Sequence, residues 1–172
     1  MKIYLDVDGV LADFTMGVHR KLGIHLDYSC WPYKKGPASW NWNEELGMSF
    51  QQLSDVCDYE LWVGLPWTSD GHDILRTAFK FSDDITLLTT PMPNEESSAG
   101  KIVWVKNNLP TYEKHMLICP GGKDETGLPL VPNSVLIDDN QANVERWVQA
   151  GGKAIIVPRW WNNHYSRVKD AP

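Results

Sequence analysis

The chain has 172 residues, of which 42% are hydrophobic and 22% charged, so we expect one core with at most a modest insertion. The formal net charge is −6 without any cluster of basic residues, which argues against a long nucleic acid and leaves a small anion as the expected partner. No apolar run approaches the roughly 20 residues that span a bilayer, and the first residues do not resemble a signal peptide. We therefore expect a cytoplasmic protein that has no membrane partner.

The first predicted strand, Lys2–Val7, carries the acidic residues Asp6 and Asp8 at its end. Gly9 permits a turn in which Asp8 folds over the end of the strand. Magnesium is bound by carboxylates, phosphate oxygens and water. A carboxylate beside such a metal can attack phosphorus, while a second one protonates the leaving oxygen. A solvated turn with an Asx cap is the alternative for this pattern on its own.

Residues 14–69 interrupt the pattern of alternating strands and helices. Thr15–Leu22 and Glu44–Val56 predict two helices, with irregular structure between them. An insertion at this point lies above the end of the first strand. We therefore expect a small, mainly helical, aromatic-rich cap over 14–69 and a core formed by 1–13 and 70–172. Tryptophans next to polar and flexible residues in the cap suit the wall of a pocket that stacks a flat ligand.

The second predicted strand, Ile85–Thr89, ends in two hydroxyl side chains, those of Thr89 and Thr90. A hydroxyl at this position, together with neighbouring amides, can bind a phosphoryl oxygen. A threonine that caps a turn is the alternative. Lys101 follows near the start of the helix predicted over Glu95–Leu109.

Two further strands are predicted over Met116–Cys119 and Val135–Ile137, with Lys123 in the loop between them. Lysine or arginine stabilises the charge of a phosphoryl group in transfer, although a lone loop lysine is more often a solvated surface group. Asp138 and Asp139 follow the later strand, and adjacent carboxylates repel each other unless a cation or donors lie nearby. As an alternative, Asp139 is the N-cap of the next helix.

A last strand is predicted over Ala154–Val157, and helices over Asp70–Ser82 and Asn140–Ala150 complete the alternation. Strands that alternate with helices indicate an α/β, Rossmann-like fold with a mainly parallel sheet. Ligands of such sheets bind at the carboxyl ends of the strands. The acidic residues, the threonines and the loop lysine should therefore meet at one edge.

In this order, the motifs resemble the four motifs of the haloacid dehalogenase superfamily, with Asp8 similar to its phosphatase members. A closer resemblance, to the 5'(3')-deoxyribonucleotidase family, is carried by four segments: Asp6-Val7-Asp8-Gly9-Val10-Leu11-Ala12-Asp13-Phe14, Thr89-Thr90-Pro91, Lys101 with Trp104-Val105, and Leu136-Ile137-Asp138-Asp139. The position of the insertion also matches the small helical cap of that family.

The resemblance implies a role for each residue of the site. Asp6 is the nucleophile, and Asp8 is the general acid and base. Thr89 and Lys123 hold the phosphoryl group. The Mg²⁺ ligands that it implies are Asp6, the backbone carbonyl of Asp8, and Asp138 or Asp139. The resemblance also implies a nucleoside pocket lined by Phe14 and one or more of Trp40, Trp42 and Trp62, with Thr90 and Lys101 as candidates on the phosphate side.

The leading hypothesis is a magnesium-dependent phosphomonoesterase that acts on (deoxy)nucleoside monophosphates through an aspartyl-phosphate. One alternative is the same chemistry on another small phosphate ester. Another is a catalytically silent protein that binds nucleotides on the same fold. A homodimer is also compatible with the sequence.

Overall fold

The computed structural model describes residues 1–26, 42–44, 46–162 and 164. Five parallel strands form one sheet in the order β3-β2-β1-β4-β5. The strands are β1 (Lys2–Leu5), β2 (Ile85–Thr89), β3 (Met116–Ile118), β4 (Ser134–Asp138) and β5 (Ala154–Ile156). The predicted α/β fold with a parallel sheet is therefore confirmed.

Strand β1 lies at the centre of the sheet and ends two residues earlier than predicted. Leu5 is its last residue and is level with Leu87 of β2 and Ile137 of β4. Asp6 still donates its amide to the Ile137 carbonyl, at 2.9 Å. The Val7 amide, however, turns back to the Asp6 side chain, at 2.8 Å. The strand stops here because this amide no longer bonds to a neighbouring strand.

Among the described residues, six α-helices surround the sheet. They are α1 (Phe14–Lys21), α2 (Phe50–Val56), α3 (Tyr59–Val63), α4 (Gly71–Phe81), α5 (Glu95–Asn108) and α6 (Gln141–Gln149). The helices predicted over 70–82, 95–109 and 140–150 match α4, α5 and α6 to within one residue at each end. No helix among the described residues is long and apolar enough to cross a membrane.

The prediction of a single helix over Glu44–Val56 is wrong. Trp42–Glu44 forms one 3₁₀ turn, and α2 begins only after Ser49. Ser49 accepts the amide of Gln52, and the Gln52 side chain accepts the amide of Ser49, which is a capping box. Helix α3 was not predicted, because its five residues are too few to show a helical repeat.

Apolar side chains cover both faces of the sheet. On one face, Leu5 belongs to the main hydrophobic cluster, which also holds Phe14 and Trp62 from the 14–69 segment. On the other face, Tyr4 packs edge-on against Trp147 of α6, with ring centroids 5.5 Å apart. Cap and core residues thus share one cluster, and the division at 14–69 stays a prediction.

Candidate functional site

Three buried carboxylates meet at the carboxyl edge of β1 and β4. Asp6 follows β1, while Asp138 ends β4 and Asp139 comes next. Each offers one oxygen, and these oxygens lie within 4.8 Å of one another. The register explains the meeting, because Leu5 and Ile137 are paired in neighbouring parallel strands. Such a group of like charges is stable only where cations or protons offset the repulsion.

Lys123 lies between two of these acids. Its Nζ is 2.8 Å from Asp6 Oδ1 and 2.6 Å from Asp138 Oδ2, and the side chain is almost completely buried. Asp138 also accepts the Asn140 amide at 2.7 Å and the Asn143 side-chain amide at 3.2 Å. Asp138 is therefore well supplied with donors.

Asp139 has only half of its carboxylate satisfied. The indole of Trp161 donates to Oδ2 at 2.6 Å, whereas Oδ1 is buried without a hydrogen-bond partner among the described residues. A buried carboxylate oxygen without a donor is costly. Hard divalent cations are bound by oxygen ligands of this kind. The three acids thus fit a divalent cation, and the unpaired oxygen is the observation that favours one.

Burial and neighbouring charges shift the pKa values of the ionisable groups in this cluster. Burial raises the pKa of Asp6 to about 7, although the nearby Lys123 acts in the opposite direction. Burial, with the charges of Asp138 and Asp6, holds the pKa of Asp139 well above its ordinary value. Burial alone would lower the pKa of Lys123, but Asp138 and Asp6 outweigh it and raise that pKa. One ammonium does not neutralise three carboxylates.

Asp8 belongs to a second group of polar side chains. Its Oδ2 accepts the Thr89 hydroxyl at 3.2 Å and the ammonium of Lys101. Lys101 also donates to the Thr89 hydroxyl oxygen and the Thr90 carbonyl, each at 3.0 Å. Its Nζ lies 4.7 Å above the centre of the Trp62 ring. A second buried lysine is thus directed at Asp8.

The Gly9 turn holds Asp8 in position and requires a glycine. Gly9 has φ +74°, and an added Cβ would lie 2.3 Å from Asp139 Oδ2. The Gly9 carbonyl accepts Arg159 Nε at 2.6 Å. Arg159 in turn forms two hydrogen bonds to Asp70, of 2.7 and 2.8 Å.

A cavity of about 250 Å³ opens above these groups. Among the described residues, its charged lining consists of Asp6, Asp8, Lys123 and, from helix α5, Lys101. Phe14 and Trp62 also line it, and their rings are stacked with centroids 5.0 Å apart and planes at 9°. The cavity therefore has an ionic floor and an aromatic wall.

Most of the side chains proposed from the sequence lie together at this cavity or directly behind it. They are Asp6, Asp8, Phe14, Trp62, Thr89, Thr90, Lys101, Lys123, Asp138 and Asp139. Trp40 lies outside the described residues, as does the side chain of Trp42. The alternative of Asp139 as a helix N-cap is wrong, because Asn140 accepts the amides of Ala142 and Asn143. The roles of the residues in catalysis stay predictions.

Three residues at the site were missed by the sequence reasoning: Asn143 and Trp161, which contact the acids, and Arg159, which donates to the Gly9 carbonyl. The last two follow β5 directly, at the edge of the sheet where the acids lie. The signal available in the sequence was Arg159-Trp160-Trp161-Asn162, a cationic, two aromatic and one amide side chain shortly after an apolar strand. It went unused because the tail shows no periodic pattern.

No protein-family model and no curated protein sequence matches the chain. Among solved structures, it is similar to a haloacid dehalogenase-like family hydrolase from Streptococcus pneumoniae, with TM-score 0.55 and 15% identity over 99% of this chain and 90% of that one. A haloacid dehalogenase family hydrolase from Deinococcus radiodurans, with bound phosphate and sodium, gives TM-score 0.54 and 13% identity over 98% and 86%. A hydrolase from Pseudomonas syringae gives 0.52 and 11% over 98% and 89%. The chain therefore has the α/β fold seen in haloacid dehalogenase-like hydrolases.

Proposed function

We propose that this chain is a magnesium-dependent phosphatase of the haloacid dehalogenase superfamily, with Asp6 as its nucleophile. The observation that carries the proposal is the placement of Asp6. Its carboxylate lines the cavity, contacts Lys123 and shares a potential cation site with Asp138 and Asp139. The Deinococcus structure of the same fold contains phosphate, which supports a phosphate ester as the substrate.

Asp6 and Asp8 divide the chemistry between them. The hydrogen bonds that described residues make to the Asp6 side chain fall on Oδ1, so we assign Oδ2 to the attack on phosphorus. As the phosphorus–oxygen bond to the leaving group breaks, Asp8 gives its proton to the leaving oxygen. Asp8 then takes a proton from the water that attacks the aspartyl-phosphate. Inorganic phosphate leaves and the Asp6 carboxylate is restored.

The remaining polar groups hold the phosphoryl group and the metal. Lys123 and the Thr89 hydroxyl bind phosphoryl oxygens, with Thr90 and Lys101 beside them. Asp6, Asp138 or Asp139, and the backbone carbonyl of Asp8 hold Mg²⁺. When bound, the cation offsets the negative charge of the phosphate and the carboxylates.

The substrate that we propose is a nucleoside monophosphate, with deoxynucleotides preferred. Phe14 and Trp62 line the cavity, and Lys101 and Lys123 supply its positive charge. Because Trp62 is only 2% exposed, with Phe14 stacked on its ring and Lys101 over it, a base would contact the part of this aromatic pair that faces the cavity. Such aromatic contacts favour binding beyond the area that they bury.

A phosphate-release screen with Mg²⁺ tests this proposal. The panel contains deoxy- and ribonucleoside 3'- and 5'-monophosphates and a set of sugar phosphates, with the Asp6→Asn variant as the blank. We expect fastest release from deoxynucleoside monophosphates. Faster release from sugar phosphates would leave the chemistry in place and overturn the nucleotide substrate. No release from any ester would leave only a protein that binds nucleotides without turnover.

A further inference from the structure

The segment after β5, residues 157–162, forms several hydrogen bonds to Asp138 and Asp139. The Val157 amide donates to the Asp138 carbonyl at 2.8 Å. The side-chain amide of Asn162 donates to the carbonyls of Asp139 and Val157, at 2.9 and 2.8 Å. The indole of Trp161 donates to Asp139 Oδ2 at 2.6 Å. Both the backbone and the carboxylate of Asp139 are therefore held by this one segment.

The Asp139 carboxylate has little freedom to rotate. On one side Trp161 holds Oδ2, and on another the Gly9 turn lies so close that a Cβ would come within 2.3 Å of the same oxygen. Asp139 is completely buried, and Oδ1 is its oxygen without a hydrogen-bond partner among the described residues. The hydrogen bond from the Trp161 indole to Oδ2 thus determines that Oδ1 is the Asp139 oxygen left for another partner.

We propose that Trp161 is a positioning residue for the cation site: its N–H fixes Asp139 so that Oδ1 is presented to a divalent cation beside Asp6 and Asp138. An indole N–H only donates, so it holds a carboxylate oxygen without competing for the metal. Groups that orient a ligand in this way commonly contribute ten- to hundredfold to metal affinity. This inference rests on the metal site of the proposed function.

Calorimetric titration of Mg²⁺ into the substrate-free protein tests the inference. Trp161→Phe keeps a ring and removes the donor, and we expect the Kd for Mg²⁺ to rise about ten- to hundredfold. Trp147→Phe is the matched control. Trp147 is fully buried in α6, and its indole nitrogen has no hydrogen-bond partner among the described residues. We expect this control to melt at a lower temperature with an unchanged Kd.

An unchanged Kd in Trp161→Phe, or an equal rise in both variants, would overturn the role of Trp161. Wild-type protein that binds no Mg²⁺ would instead overturn the metal site itself. If Trp161→Phe does not fold, ¹⁵N-indole NMR of the wild type decides the question. We expect one indole N–H signal to be displaced downfield by its carboxylate partner and to move on addition of Mg²⁺. Indole signals that all stay in place would contradict the proposal.

Discussion

At the residue scale, the buried carboxylates of the site carry more negative charge than the buried lysines neutralise. Lys123 contacts Asp6 and Asp138, while Asp139 has an indole donor on one oxygen only. Burial therefore raises the pKa of Asp6 to about 7 in spite of the adjacent ammonium. The arrangement costs folding free energy unless a proton or a metal ion is bound. Such concentrated charge is typical of functional sites.

Replacement of Asp6 by asparagine should separate catalysis from folding. The amide keeps the shape of the side chain but is not a nucleophile, so under the proposed mechanism we expect kcat to fall about 10³-fold or more. The variant should melt at least as high as the wild type in EDTA, because one of three repelling carboxylates is gone. Phosphate release and thermal melts measure the two effects.

Asp73→Asn is the control for this change. Asp73 is exposed on α4 and pairs only with a neighbouring surface arginine among the described residues. Its removal should leave both turnover and melting temperature unchanged. Wild-type turnover in Asp6→Asn would rule out the covalent mechanism.

At the element scale, two close approaches build the cavity. Strands β1 and β4 are neighbours, which brings their terminal acids together. Helices α3 and α5 approach closely at Gly100, where an added Cβ would lie 2.3 Å from the Cβ of Trp62. Because Trp62 stacks on Phe14 and lies under Lys101, this contact sets the aromatic wall.

Gly100→Ala should therefore loosen the wall. Alanine favours a helix over glycine by about 1 kcal/mol, but the clash with Trp62 should cost about 1–3 kcal/mol. We expect a net loss of stability in urea and a higher KM for the best substrate. Ser98→Ala in the same helix is the control and should leave KM unchanged and raise stability by less than about 0.7 kcal/mol, the difference in helix propensity. Greater stability with an unchanged KM would contradict this prediction, because it would show that α3 and α5 move apart to accept the added methyl group without cost.

At the scale of the whole molecule, the acidic cluster links stability to pH and to metal. The pKa of Asp6 is raised from 3.8 to about 7, and that of Asp139 is raised as well. The native state therefore holds protons that the unfolded chain has released. Between about pH 4 and pH 7 the contribution of Asp6 to the free energy of unfolding falls as the pH rises, and the raised pKa of Asp139 acts in the same direction.

We thus expect metal-free wild-type protein to lose stability relative to Asp6→Asn as the pH rises from 5 to 8. The difference should reach on the order of a few kcal/mol at pH 8. Under the proposed function, Mg²⁺ would bind the ionised acids of the native state, so it should raise the melting temperature most at pH 8. Melts in EDTA and in excess Mg²⁺ measure both trends. A gap between wild type and variant that stays constant with pH would contradict this account.

Local patterns were enough to predict most elements and the acids at the strand ends. Buried strands appear as short apolar runs, and the helices α4, α5 and α6 appear as apolar residues at helical spacing. Gly151 follows the C-cap of α6 with φ +95°, in the left-handed region that glycine favours. Because parallel strands end at the same edge of a sheet, the sequence predicted the edge at which Asp6 and Asp138 lie, whereas their contact required that β1 and β4 be neighbours.

Contacts between distant parts of the chain were decided by the tertiary structure alone. Only packing shows that Lys101 reaches Asp8, 93 positions away, or that Trp161 reaches Asp139, 22 positions away. Periodicity reports which face of an element is buried and carries no information on the partner that covers it. The sequence by itself therefore determined the kinds of elements and where the acids lie along them. The order of the strands and the packing of the segment after β5 decided which donors those acids meet.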